Sequence, residues 1–170
     1  MKKTTLVAIS ALTTVALAGC SSTGTEDIFT LAKGSITDSS SFGGGPESVW
    51  VAKAKEQFKS GNYGLAERYY RQAIEERHEN IEAWLGLAAS YDRLKQFDQA
   101  DRAYKAIIKI AGFTPTIMNN LGFHYMLKGD FDSAERTLTA AREKDPQNPY
   151  IANNLSLLSE WRVAAGRDRG

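Results

Sequence analysis

The sequence is short of the residues from which active sites are most often built. It contains one cysteine, Cys20, and two histidines, His78 and His124, in 170 residues. A lone thiol cannot close an internal disulfide, and without a second Cys or a nearby His it can neither share a zinc ion nor form a catalytic pair. Neither histidine has a Cys or another His one helical turn away, as a metal site on a helix requires. The serine-nucleophile pattern G-x-S-x-G is missing, and Gly43-Gly44-Gly45 lacks both the second glycine spacing and the following lysine of a phosphate loop. Glu75, Glu76, Glu79 and Glu82 cluster, but helix N-termini and solvated faces commonly carry acids. These absences argue against an enzyme, a metal, a cofactor and a small-molecule substrate. An excess of charge is missing too: 21 Lys and Arg face 20 Asp and Glu, with no basic block. Nucleic acid is thereby disfavoured as a partner, because phosphate binding needs a basic surplus on one face.

No apolar run reaches the ~20 residues that a membrane-spanning helix needs. The longest, LVAISALTTVALA from Leu6 to Ala18, follows Lys2 and Lys3 and has the length of a signal-peptide core. Its end, Leu17-Ala18-Gly19-Cys20, resembles the bacterial lipobox, in which the Cys is lipidated and becomes the first residue after cleavage. The resemblance makes residues 1–19 a lipoprotein signal peptide and Cys20 a membrane anchor, and Ser21 beside it favours the outer membrane of a Gram-negative cell, facing the periplasm. The alternative is a secreted protein with a chance Cys at its cleavage site. Cleavage would leave 19 basic and 20 acidic side chains, a formal charge of −1.

Residues 20–46 read as a linker. From Ser21 to Pro46 the chain is dominated by Ser, Thr and Gly, with one apolar patch at Ile28, Phe29 and Leu31. Such a composition buries too little to offset its ordering entropy. As a flexible coil its r.m.s. reach is on the order of 30 Å. Alternatively, the patch folds onto a partner or onto the rest of the chain.

Residues 47–148 repeat with a period of 34, as rows 47–80, 81–114 and 115–148. The fourth place holds Trp50, Trp84 and Met118; the eighth, Ala54, Ala88 and Gly122; the seventeenth, Tyr63, Phe97 and Phe131. Ala66, Ala100 and Ala134 fill the twentieth place, and Tyr70, Tyr104 and Leu138 the twenty-fourth. Within a row the apolar residues recur at helical spacing on either side of a short polar turn, so each row is a helical hairpin. The small residues let the paired helices approach closely, and the aromatics fill the space around them. Gly61-Asn62 and Gly129-Asp130 suit turns with positive φ, whereas Lys95-Gln96 in row two demands another turn type or some strain. Pro115 and Pro149 suit the first position of a helix. Residues 149–170 repeat the start of row three, with Asn153-Asn154-Leu155 one period after Asn119-Asn120-Leu121. They predict a seventh helix with a short basic tail, capping the array through Leu155, Leu158 and Val163 while Glu160, Arg162, Arg167 and Arg169 meet water.

This spacing resembles the tetratricopeptide repeat over residues 47–148. The resemblance implies an all-α, right-handed solenoid of three hairpins and a capping helix, whose concave groove binds a protein segment. By the family's groove positions the lining is Lys55, Phe58 and Lys59 from row one, with Leu85, Asp92 and Arg93 from row two. Asn119, Asn120, Phe123 and Leu127 come from row three, and Asn153, Leu157 and Trp161 from the capping helix; Val51, Ala89, Thr116, Met126 and Tyr150 stand at further groove places. Phe58, Phe123, Leu127 and Trp161 would anchor an amphipathic helix or an extended segment, and the Asn pairs could hydrogen-bond a peptide backbone. The alternative is that the aromatics pack within the array. The clamp for C-terminal carboxylates is not expected, since Val51, Gly86, Thr116 and Asn120 stand at its places and only Lys55 has a suitable charge.

The segments NNLGFHYMLKGDFDSAERTL and KDPQNPYIANNLSLL resemble the C-terminal repeat and cap of the lipoprotein from tight-adherence (Tad/Flp) pilus systems. That resemblance implies a pilotin-like assembly factor whose partner is a secretin or pilus component. The alternative function is a periplasmic adaptor that brings cell-wall enzymes or proteases to the outer membrane.

Overall fold

The computed structural model describes residues 48–167. The expected signal peptide, Cys20, the linker and the last three residues lie outside them. The described residues form seven helices: α1 (Val49–Lys59), α2 (Tyr63–Glu76), α3 (Ile81–Arg93), α4 (Phe97–Ala111), α5 (Pro115–Lys128), α6 (Phe131–Lys144) and α7 (Pro149–Arg167). No strand occurs among them.

Each start has a local cause. Ser48, Asn80, Thr114 and Asp130 place a side-chain oxygen on a backbone N–H of the first turn of α1, α3, α5 and α6, relieving donors with no partner inside the helix. Pro115 opens α5 and Pro149 opens α7, as expected of residues with fixed φ and no N–H. The turns within rows share one geometry. Gly61, Lys95 and Gly129 take φ of 79°, 58° and 77°, and each turn donates the same two backbone hydrogen bonds to the end of the preceding helix, as in Lys95 N to Asp92 O and Gln96 N to Tyr91 O. Row two thus uses the same turn as its neighbours, with a lysine in the left-handed conformation where they use glycine. The strained alternative applies, not a new turn type.

The hairpins close on the small residues. Ala66, Ala100 and Ala134 are fully buried, as are Ala54 and Ala88. A Cβ added at Gly122 would sit 2.5 Å from Leu138 Cγ, so the helices of row three meet over a glycine because no side chain fits. Tyr70 of row one packs its ring against Gly86 of row two in the same way.

The first helices of successive rows touch one another, α1 on α3, α3 on α5 and α5 on α7, while the second helices make no comparable contact among the described residues. A layer whose members touch is shorter than one whose members are spread, so the array curves with α1, α3, α5 and α7 on the concave side. Consecutive helices meet least between α4 and α5, where row two joins row three.

The seventh helix caps row three differently from expectation. Ile151, Leu157 and Leu158 are buried, but Val163 is 52% exposed. Arg162, expected in water, donates to Phe131 O at 3.0 Å and Asp132 Oδ1 at 2.7 Å, and pairs with Glu135. It ties α7 to the carboxylates at the start of α6. No described helix is long and apolar enough to cross a membrane.

Candidate protein-binding face

The concave layer sorts the expected groove residues into a closed floor and an open strip. Leu85, Asn119, Asn120 and Leu157 are buried, and Phe123 is 1% exposed. Phe123 packs in one cluster with Ala89, Met126, Leu157 and Leu158, its ring centroid 6.3 Å from that of Trp161. Steric access excludes Phe123 as a direct anchor: the neighbouring first helices and α7 already cover it. Phe58, Leu127 and Trp161 are half-buried and pack against the same cluster. Phe58 also joins the larger core of rows one and two. These three side chains, from row one, row three and α7, form a partly open apolar strip over a floor of Ala89 from row two and Phe123 from row three.

Polar groups edge the strip. Lys55 reaches Glu82 across the first inter-row seam at 3.0 Å. The Arg93 guanidinium lies 4.8 Å from the centre of the Tyr63 ring and donates to its hydroxyl at 2.5 Å, and Tyr63 meets Phe58 edge-on at 5.1 Å. The row-one aromatic and the row-two cation are thus held together by Tyr63, a residue the groove pattern does not include. Lys59 and Asn153 are exposed. Asn154 donates to Asn119 Oδ1 at 2.9 Å across the α5–α7 seam. Asn119, Asn120 and Asn154 are buried, so the expected bonding of a peptide backbone by the Asn pairs is closed off at these three, and only Asn153 is exposed.

Asp92 is not a groove residue. It is 2% exposed, and its Oδ1 lies 2.6 Å from His124 Nδ1. The other ring nitrogen lies 3.0 Å from Asp101 Oδ1, and Lys128 donates to Asp101 Oδ2 at 2.8 Å. The single Tyr104 hydroxyl proton is shared between Asp92 Oδ2 at 3.4 Å and the Asn120 carbonyl at 3.2 Å. Burial pulls the His124 pKa down, but the two carboxylates outweigh it and raise it above the ordinary histidine value. Burial pushes Asp101 up, and Lys128 and His124 bring it below the ordinary carboxylate value. Burial also raises Asp92, against its bonds from His124 and Tyr104. An imidazolium donating to both acids satisfies every group, so the chain of charges fastens row two to row three. Twelfth place in a row gave no sign of this, because the partner lies 32 positions away.

No group of three or more His, Cys, Asp or Glu able to hold a metal occurs among the described residues.

Residues 57–117 match the family model described as tetratricopeptide repeat. Over 106 residues the chain is 32% identical to the BBSome complex member BBS4 of Bos taurus, covering 62% of this chain and 20% of that protein. The chain therefore spans about a fifth of that relative's length. The first tetratricopeptide domain of the human RPAP3 protein superposes with a TM-score of 0.62 at 20% identity, covering 70% of this chain and 94% of that one. The type III secretion chaperone SycD of Yersinia enterocolitica, solved with a peptide of the translocator YopD, gives 0.57 at 21% identity, covering 71% and 92%. At such identities the structures speak to the fold alone. The three hairpins closed by a seventh helix have the fold of the tetratricopeptide domains, and residues 57–117 match that repeat's family model.

Proposed function

We propose that this protein is an envelope scaffold, anchored through lipid on Cys20, whose concave face receives an apolar segment of a partner protein. The observation that carries the reading is the strip of Phe58, Leu127 and Trp161, half-open over a buried floor and edged by Lys55, Lys59 and Arg93. Half-buried aromatics in a groove are the usual anchors for a helix or an extended segment. Solved arrays of the same fold hold a peptide of YopD in SycD and the chaperone-binding region of PopD in PcrH, which supports a segment of a larger protein as the ligand class here.

The more specific reading is a pilotin or assembly factor at the outer membrane, with a secretin or pilus component as partner. It rests on the lipobox-like Leu17–Cys20, on Ser21 and on the resemblance of the third repeat and α7 to the tight-adherence pilus lipoprotein.

The test is capture of envelope proteins by the mature chain, followed by identification of the partner. The Leu127→Ser and Trp161→Ser variants should each lose about 2 kcal/mol, roughly thirtyfold in affinity. Arg142→Ser, an exposed change on α6, should bind like wild type. Phe123→Ser is no substitute, since it attacks the core. If folded Leu127→Ser and Trp161→Ser proteins capture the same partner undiminished, the concave reading fails. A cell-wall enzyme or protease as the captured partner would replace the pilus reading with the adaptor one.

A further inference from the structure

The outer face carries a second recess, between rows one and two. Helices α2, α3 and α4 enclose a cleft of about 360 Å³ whose apolar lining includes Ile74, Trp84 and Leu87. Arg71 and Arg102 stand on its edge from opposite helices, with Glu75 one turn from Arg71. The Arg71 guanidinium is fixed in place: its Nε lies 2.8 Å from Glu67 Oε1, and it donates to the Tyr91 hydroxyl at 3.1 Å and 3.3 Å. An apolar trough with Arg102 exposed on one side, and Arg71 held by Glu67 beside Glu75 on the other, suits a short apolar segment with acids at one end and a base at the other.

The chain contains such a segment outside the described residues. Glu26-Asp27-Ile28-Phe29-Thr30-Leu31-Ala32-Lys33 sets two acids before the apolar cluster and one lysine after it. It is the densest apolar stretch between Cys20 and Pro46, in a region otherwise rich in Ser, Thr and Gly. We propose that the cleft between α2, α3 and α4 is the docking site of this chain's own segment 26–33. Ile28, Phe29 and Leu31 enter the apolar trough, Glu26 and Asp27 meet Arg71 and Arg102, and Lys33 meets Glu75.

The connection is long enough. Sixteen residues lie between Leu31 and Ser48, and the seventeen extended Cα–Cα steps across them reach about 55–60 Å. A domain of this size has a radius of gyration of only roughly 14 Å. Tethering also favours this occupant over a free one, because a flexible linker of this length holds the segment at an effective concentration on the order of millimolar. Docking shortens the free chain between Cys20 and the array, and it leaves the concave strip untouched.

Disulfide trapping in the full chain, with Cys20→Ala to remove the native thiol, tests the proposal. Thr30→Cys, which leaves the apolar anchors in place, is paired either with Gln99→Cys, which lines the cleft, or with Arg142→Cys, exposed on α6. At micromolar protein the cleft pair should form an intramolecular disulfide at least tenfold faster than the α6 pair. Arg71→Glu with Arg102→Glu should remove that advantage, and adding Glu26→Arg with Asp27→Arg should restore it, with helicity unchanged by circular dichroism in every variant. Equal rates for the two pairs would overturn the proposal. So would disulfides that form only between chains, which would make a second copy the occupant, or a rate advantage that survives the Arg71 and Arg102 reversals.

Discussion

His124 Nδ1 on α5 lies 2.6 Å from Asp92 Oδ1 on α3, a contact sealed from solvent. It falls at the junction where consecutive helices touch least, between rows two and three, so charge supplies there part of what apolar packing supplies at the other seams. Removing one partner of a buried ion pair costs about 3–5 kcal/mol, because the other is left uncompensated.

The pH dependence of stability follows from the sign of the shifts. The folded His124 pKa is raised, so its contribution is complete below the unfolded value of about 6.5 and is lost as pH rises through the folded value. The folded Asp101 pKa is lowered, so its contribution is present above about 3.9 and is lost as pH falls through the folded value. Thermal melts should therefore show stability falling as pH rises from about 6.5 through the folded His124 value. His124→Phe should melt lower at pH 6 and lose that slope, and Asp92→Leu combined with it should recover much of the loss. An unchanged slope in His124→Phe would show that the pair does not titrate in this way.

Lys95 holds a φ of 58°, which costs a side-chain-bearing residue roughly 1–2 kcal/mol. Lys95→Gly relieves that and gives back part of it through the unfolded chain. The net expectation is a gain of about 0.5–1 kcal/mol, read as a Tm higher by a few degrees. The same change at Lys105, inside α4, should lower Tm instead, since glycine is a poor interior helix residue.

Ala100 is fully buried where the two helices of row two meet. Ala100→Trp should overpack that contact by about 1–3 kcal/mol or more, and Gly86→Ala should drive a methyl into the Tyr70 ring with a loss of similar order. Denaturant midpoints equal to wild type in both would contradict the packing of these hairpins.

If Cys20 carries the anchor, Cys20→Ser should lose acyl labelling and leave the outer-membrane fraction while keeping the helical signal of the array. Unchanged fractionation would refute the anchoring proposal, without bearing on the concave strip or the outer cleft.

The hairpins were legible because their determinants are local and periodic. A 34-residue spacing puts an alanine at Ala66, Ala100 and Ala134, and helix geometry leaves few ways to use a small residue at that spacing other than close approach of paired helices. Caps and turns are local too: Thr114 before Pro115, and Gly129 after α5, announce themselves within four residues. Burial on the concave face is of another kind. Phe123 and Leu127 stand on one face of one helix, four positions apart, yet Phe123 is sealed and Leu127 half-open, because exposure depends on how closely α3 and α7 approach α5. Asp92 and Arg93 are neighbours in the chain, and one enters the core while the other lies on Tyr63, because only the stacked array brings His124 and Tyr63 alongside. The repeat pattern assigns each residue to a helix face, and the curvature of the array then decides how much of that face remains open to a partner.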